Sequence, residues 1–189
     1  MKSLRCEVNG LTALLMHNPV GQMGGSPEGK RPKVPSPEDE AKRSRYLLKG
    51  DELGIPTIAL RNCILSGSKG FKVGKYSLYA MLGGCLSILP EDGFVPLLRG
   101  GKSIKDYTVD IRRAVVQKQG ILRARTKVEL PWQVVFDVLW EDAILPPSFP
   151  NTLQEIIEKA GTTVGLLDYR PERKGWFGKF ELVSLTAKD

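Results

Sequence analysis

An α+β sandwich is the fold this 189-residue sequence predicts, and three observations carry the expectation. Apolar residues alternate with polar ones near 4–8, 132–140 and 180–186, the period of strands with one buried face. Leu153, Ile156, Ile157, Ala160 and Val164 repeat at the spacing of a helix packed on a sheet. Ile55-Pro56 opens a second helix, because a proline in the first turn gives up no hydrogen bond.

Taken in order, residues 3–16 predict one long strand. Leu4, Cys6 and Val8 lie on one side, Arg5 and Glu7 on the other, and a bend falls near Asn9-Gly10. Residues 19–50 are rich in proline, glycine and charge. They read as a mobile insertion holding a short helix from Glu38 to Leu48, begun by Ser36-Pro37. The helix after Pro56 places Ile58, Ile64 and Leu65 on its apolar side and ends at Gly67 or Gly70. A further helix over Tyr76–Leu82 is stopped by Gly83-Gly84, a strand covers Phe94–Leu98, and Arg99–Lys102 is a basic turn. Tyr107, Val109, Ile111 and Val115 alternate along another strand. The basic segment 118–131 that follows is too long for a tight turn and reads as a projecting hairpin. Asn151 caps the last helix. In the last strand Phe180, Leu182, Ser184 and Thr186 oppose Glu181, Val183 and Leu185. This order of elements is the ferredoxin-like (RRM-like) split βαβ sandwich with long insertions, expected as a single domain over 1–189.

Charge is segregated. Lys and Arg number 28 against 21 acids, a net +7. Residues 53–90 hold no acid and four bases, Arg61, Lys69, Lys72 and Lys75. Residues 111–128 hold no acid and six bases, among them Arg123 and Arg125, whereas 128–168 hold seven acids against one base. A fold with one positive face, suited to a polyanion, is expected. No apolar run is long enough to cross a membrane and no signal peptide precedes Glu7, so a cytoplasmic protein without a membrane partner is expected. The three cysteines, Cys6, Cys63 and Cys85, form no C-x-x-C pair and read as buried small hydrophobes.

Two segments carry a resemblance. Ile55-Pro56-Thr57-Ile58-Ala59-Leu60-Arg61 resembles the I-P-G-S-S-L-[RK] stretch of the RAMP superfamily of CRISPR-associated proteins. Lys174-Gly175-Trp176-Phe177-Gly178-Lys179-Phe180-Glu181 is similar to that superfamily's C-terminal glycine-rich loop. Thr57 stands where the pattern has glycine, Ala59 where it has serine, and Trp176 where a small residue is usual. The resemblance is to the backbone subunits that line up along guide RNA, and extends to short phage-encoded relatives. It implies RNA or single-stranded DNA held on the sheet-and-helix surface, self-association along the strand, or contact with other effector-complex subunits.

The residues expected at such a surface fall in three groups. Arg61 and Lys69, eight apart on one helical face, would track phosphates with Lys72 and Lys75. Arg170, Arg173, Lys174 and Lys179 surround Trp176 and Phe177, which either stack on bases or cap the core beneath the loop. Arg123 and Arg125 lie on the hairpin with Lys118 and Lys127. Gly175 and Gly178 permit close backbone approach. No catalytic triad, phosphate-binding loop, metal set or cofactor fingerprint is present, and the expectation leans against an enzyme. The rivals are an RNA endonuclease using His17, the single histidine, and a phage protein that mimics or occupies a CRISPR complex through protein contacts.

Overall fold

The computed structural model describes residues 1–22, 35–116 and 119–187. Two strands open the chain, β1 (Lys2–Gly10) and β2 (Leu14–Met16), followed by short helices α1 (Pro19–Gln22) and α2 (Pro37–Arg43). β3 (Gly54–Pro56) leads directly into α3 (Thr57–Gly67). A small hairpin, β4 (Lys72–Val73) and β5 (Tyr76–Ser77), precedes α4 (Leu78–Cys85) and β6 (Leu86–Leu89). Two more hairpins follow, β7 (Phe94–Arg99) with β8 (Lys102–Ser103), and β9 (Thr108–Val116) with β10 (Gln119–Val128). β11 (Gln133–Trp140), α5 (Phe149–Thr163) and β12 (Phe180–Ala187) complete it.

The main sheet has the ferredoxin-like order. β12 pairs β1, β1 pairs β11 and β11 pairs β6, each antiparallel, with α3 bridging β1 to β6 and α5 bridging β11 to β12. β11 holds the centre because its alternation is uninterrupted: Trp132, Val134, Phe136, Val138 and Trp140 are all buried. Each such side chain contributes about 1.5–3 kcal/mol by leaving water. The apolar stripe of α5 is buried in the same core, together with Leu60, Cys63 and Ile64 of α3. α3 and α5 approach closely at Gly67, where an added Cβ would stand 2.6 Å from that of Ala160. No helix among the described residues is long and apolar enough to cross a membrane.

Several local expectations are corrected. The long first strand is two strands, because Gly10 leaves room for the Trp132 ring, whose Nε1 donates to the Thr12 carbonyl, and β2 then joins another sheet. α4 runs through Gly83 and Gly84 instead of stopping before them. α2 ends at Arg43, short of Leu48. Ile58 of α3 is 52% exposed, not in the core. Asn151 lies inside the first turn of α5, and Ser148 takes the cap position. β12 carries a bulge: Val8 pairs Leu182 but Glu7 pairs Ser184, so Leu185 returns to the core-facing side opposite Cys6.

The basic segment after β9 is itself a strand. β9 and β10 pair from Thr108↔Lys127 to Val116↔Gln119, leaving a two-residue connection in place of a long loop. That connection, which includes Lys118, and the stretch 23–34 of the insertion lie outside the described residues. The described part of the insertion is docked. β2 pairs β10 only over Thr126–Val128, and α2 covers the strand beyond it. The Glu40 carboxylate accepts from the Ala124 amide at 3.0 Å, and the buried Ser44 hydroxyl accepts from the Thr126 amide at 2.8 Å. The Thr126 hydroxyl donates to the Ala41 carbonyl at 2.7 Å.

Candidate nucleic-acid interface

The loop between α5 and β12 is built by its own backbone. Gly165 and Gly178 hold positive φ of 73° and 71°, and the Leu166 amide donates to the Gly178 carbonyl at 2.9 Å. The Asp168 amide donates to Leu15 and the Gly178 amide to Ala13, which pins the loop to β2 and the residues before it. A Cβ at Gly175 would fall on the Tyr169 carbonyl, and one at Gly178 on that of Leu166. The glycines thus permit a close approach, but of the protein's own chain. Their amides are likewise engaged, Gly175 on the Arg170 carbonyl and Gly178 on Ala13. Leu167, Tyr169 and Lys174 also take positive φ of 61°, 53° and 61°, a conformation side chains disfavour.

This winding presents an aromatic cluster. Tyr169 and Trp176 meet edge to face with centroids 5.7 Å apart, and Trp176 stands the same distance from Phe177. Phe177 is 4% exposed and lies beneath the Arg112 guanidinium, 4.7 Å from its ring centroid. It packs the loop and offers bases no open face, which corrects the expectation of a second stacking ring. Trp176 is 54% exposed, with Arg112 5.4 Å from its ring. Asp110 holds that guanidinium in place through two hydrogen bonds, at 2.6 and 3.0 Å.

The N-terminal half of α3 faces the start of this loop across a cleft of about 320 Å³. Ile58, Ala59 and Asn62 line one wall, Leu167, Asp168 and Arg170 the other, with His17 and Tyr46 alongside. Burial pushes His17 below its ordinary range; Arg125 and Arg123 act the same way, and Asp168 opposes them. Burial raises the Tyr46 hydroxyl, whose proton is donated to the His17 carbonyl. The Pro56 segment therefore meets the start of the loop that carries the second motif, although about a hundred residues separate them.

The expected cations divide. Arg173 and Lys174 are exposed at the crest of the loop, and Lys72 and Lys75 on the β4–β5 hairpin. Lys69 and Arg170 converge on Glu172, at 3.6 and 2.9 Å. Burial alone would raise the Glu172 carboxyl, but hydrogen bonds from Ser66 and Arg170 and the charges of Arg170 and Lys69 hold it below the usual range. Lys179 is half-buried, its backbone engaged by Leu11 and Thr12. Three others serve the fold. Arg125 is buried in an ion pair with Asp168. Arg123 pairs with Glu40 at 3.0 Å. Arg61 donates to the Leu86 and Gly83 carbonyls at 2.8 and 2.6 Å, neutralising the C-terminal end of α4. Lys69 lies beyond the end of α3 at Gly67, so the two are not successive positions on one helix, contrary to what the spacing predicts.

Arg112, Tyr76 and Tyr79 belong to this surface and were not among the expected residues. Tyr76 and Tyr79 sit in the acid-free, lysine-interleaved window, where aromatics among bases were a readable signal. Arg112 gave none, since only the fold brings it against Trp176. Across β1, β11 and β12 the face turned away from the helices carries Glu7, Asn9, Gln133, Asp137 and Glu181 with Arg5, and no aromatic ring among the described residues of these three strands. It lacks the stacking residues by which RRM sheets hold bases.

No protein-family model and no curated protein matches the chain. Among solved structures, a chain in the cryo-EM structure of the Type III-B Cmr-beta bound to cognate target RNA matches with a TM-score of 0.53 at 13% identity. The match covers 97% of this chain and 59% of that one, so this chain spans about three-fifths of its length. The fold is shared. It is the α+β, ferredoxin-like arrangement, reached with little common sequence.

Proposed function

We propose that this chain is a RAMP-type, non-catalytic binding protein for single-stranded nucleic acid, RNA in the first place, which assembles in several copies along the strand or beside other effector subunits. The observation that carries this reading is the meeting of the α3 segment with the start of the C-terminal loop, whose later residues Arg173, Lys174 and Trp176, its ring half open, stand exposed. Ammonium and guanidinium groups neutralise phosphates, and an exposed indole stacks on any base, so affinity with little base preference follows. That a chain of similar fold occurs in a complex bound to target RNA supports RNA over DNA.

Fluorescence anisotropy with labelled single-stranded RNA and DNA of equal length tests the proposal. Binding should weaken steeply with salt, log affinity falling by about 0.7 per contacted phosphate for each unit of log salt. Arg173→Ala with Lys174→Ala should flatten that slope without unfolding the protein. A salt-independent affinity, or none at micromolar protein, overturns the reading.

The cleft supports a second reading, an RNA endonuclease. His17 lies in it beside Tyr46, Asp168 and Arg170, and burial favours its neutral form, which can accept the proton of an attacking 2′-hydroxyl. Cleavage of RNA but not DNA, abolished in His17→Ala while binding persists, would establish it over the non-catalytic reading.

A further inference from the structure

The β4–β5 hairpin and the start of α4 carry two exposed tyrosines on a rigid mount. Leu78 between them is fully buried, and its amide donates to the Phe71 carbonyl at 3.0 Å. Tyr76 is 60% exposed and Tyr79 46%. Each ring has a lysine against it, the Lys75 ammonium 5.4 Å from the Tyr76 centroid and that of Lys69 5.5 Å from Tyr79. Lys72 is exposed on the same hairpin. Among the described residues neither Lys72 nor Lys75 enters an ion pair. Space around the hairpin is open: a Cβ added at Gly70, Gly74, Gly83 or Gly84 meets nothing within 4 Å.

We infer that Tyr76 and Tyr79 form a base-stacking platform for single-stranded RNA, separate from Trp176 and joined to it through Lys69. The inference rests on the nucleic-acid reading above and assigns a second stretch of the strand's path. Exposed aromatic residues occur singly on most surfaces, but here two lie three residues apart with ammonium groups beside both and no acid from 53 to 90. A base stacked on either ring brings its phosphate within reach of the adjacent lysine, the pairing of π-face and cation that sequence-tolerant single-strand binders use. The link to the loop is Glu172, whose neighbour Arg173 is exposed. It holds Lys69 at 3.6 Å, so the tyrosines and the loop crest belong to one continuous surface. The positive charge favours a polyanion over an uncharged protein partner.

The test uses a fluorescein-labelled twelve-residue oligouridylate RNA and the whole chain. Tyr76→Ala with Tyr79→Ala should weaken binding at least about 25-fold, since each of the two lost stacks is worth about five- to 150-fold. The salt slope should stay as in the wild type, because stacking releases no counterions. Tyr76→Phe with Tyr79→Phe should bind within about twofold of wild type, because the ring and not the hydroxyl stacks. Lys72→Ala with Lys75→Ala should lower the slope. If the alanine pair folds and binds as the wild type does while Trp176→Ala is impaired, the platform is refuted and the nucleic-acid reading stands. If the phenylalanine pair fails as badly as the alanine pair, stacking is refuted. If the alanine pair changes the mass in light scattering but not RNA affinity, the surface docks protein and the inference falls. No wild-type binding removes both readings together.

Discussion

Trp176 and Phe177 are neighbours in sequence and should behave oppositely on truncation. Trp176→Ala should weaken single-strand binding by about 1–3 kcal/mol. It should change stability by no more than about 1 kcal/mol, because half the ring is already in water. Phe177→Ala removes a buried ring under Arg112 and should cost about 3 kcal/mol or more in urea unfolding. His17 responds to pH. Burial disfavours its charged form, so its folded pKa lies below the ordinary 6.5. Below that value the unfolded chain takes up the proton first, and stability falls as pH drops toward the folded pKa. Urea midpoints should therefore decline on mild acidification, and His17→Asn should make that decline shallower.

At the scale of elements, α2 and the β9–β10 hairpin pack as one piece. Ser44→Ala leaves the buried Thr126 amide without its acceptor and should cost about 1–3 kcal/mol, with faster hydrogen exchange at Thr126. This docking was not legible in the sequence. The Ser36-Pro37 start of α2 was readable, since cap and proline signals are local. Its contact with Ala124 and Thr126 spans more than eighty residues and has no periodic signature. β11 and α5 were legible because a single buried face imposes its period. The β12 bulge was not, because one extra residue at Val183 inverts the alternation without any change in composition. The site divided in the same way. Convergence of the Pro56 segment and the C-terminal loop was implied by the motifs. The engagement of Arg61, Arg123 and Arg125 within the fold was hidden, since a charged side chain looks alike whether it meets a carbonyl, a carboxylate or a phosphate.

Over the whole molecule, the thiols report on integrity. Burial pushes Cys6 and Cys63 up to about 12 and raises Cys85 as well. A thiolate-selective disulfide reagent at neutral pH should leave Cys6 and Cys63 untouched in the native protein and label all three in guanidinium. Slow labelling of Cys63 under native conditions would mean that α3 and α5 separate. Charge segregation also acts at this scale. The β4–β5 hairpin and the loop crest offer exposed bases, while the outer face of the sheet carries Glu7, Asp137 and Glu181, so the field favours a polyanion on the basic side.

The carboxylate and hydroxyl that α2 lays on β10 have a consequence for solubility. They occupy amides that would otherwise stand in an unprotected row, the kind of template on which a strand from another molecule nucleates. Helix α2 is thus a guard against intermolecular sheet growth. Deleting residues 35–45 should turn a well-behaved protein into one that precipitates through β10, as thioflavin fluorescence would register. Glu40→Lys, which replaces the acceptor with a repelling donor beside Arg123, should push it partway there.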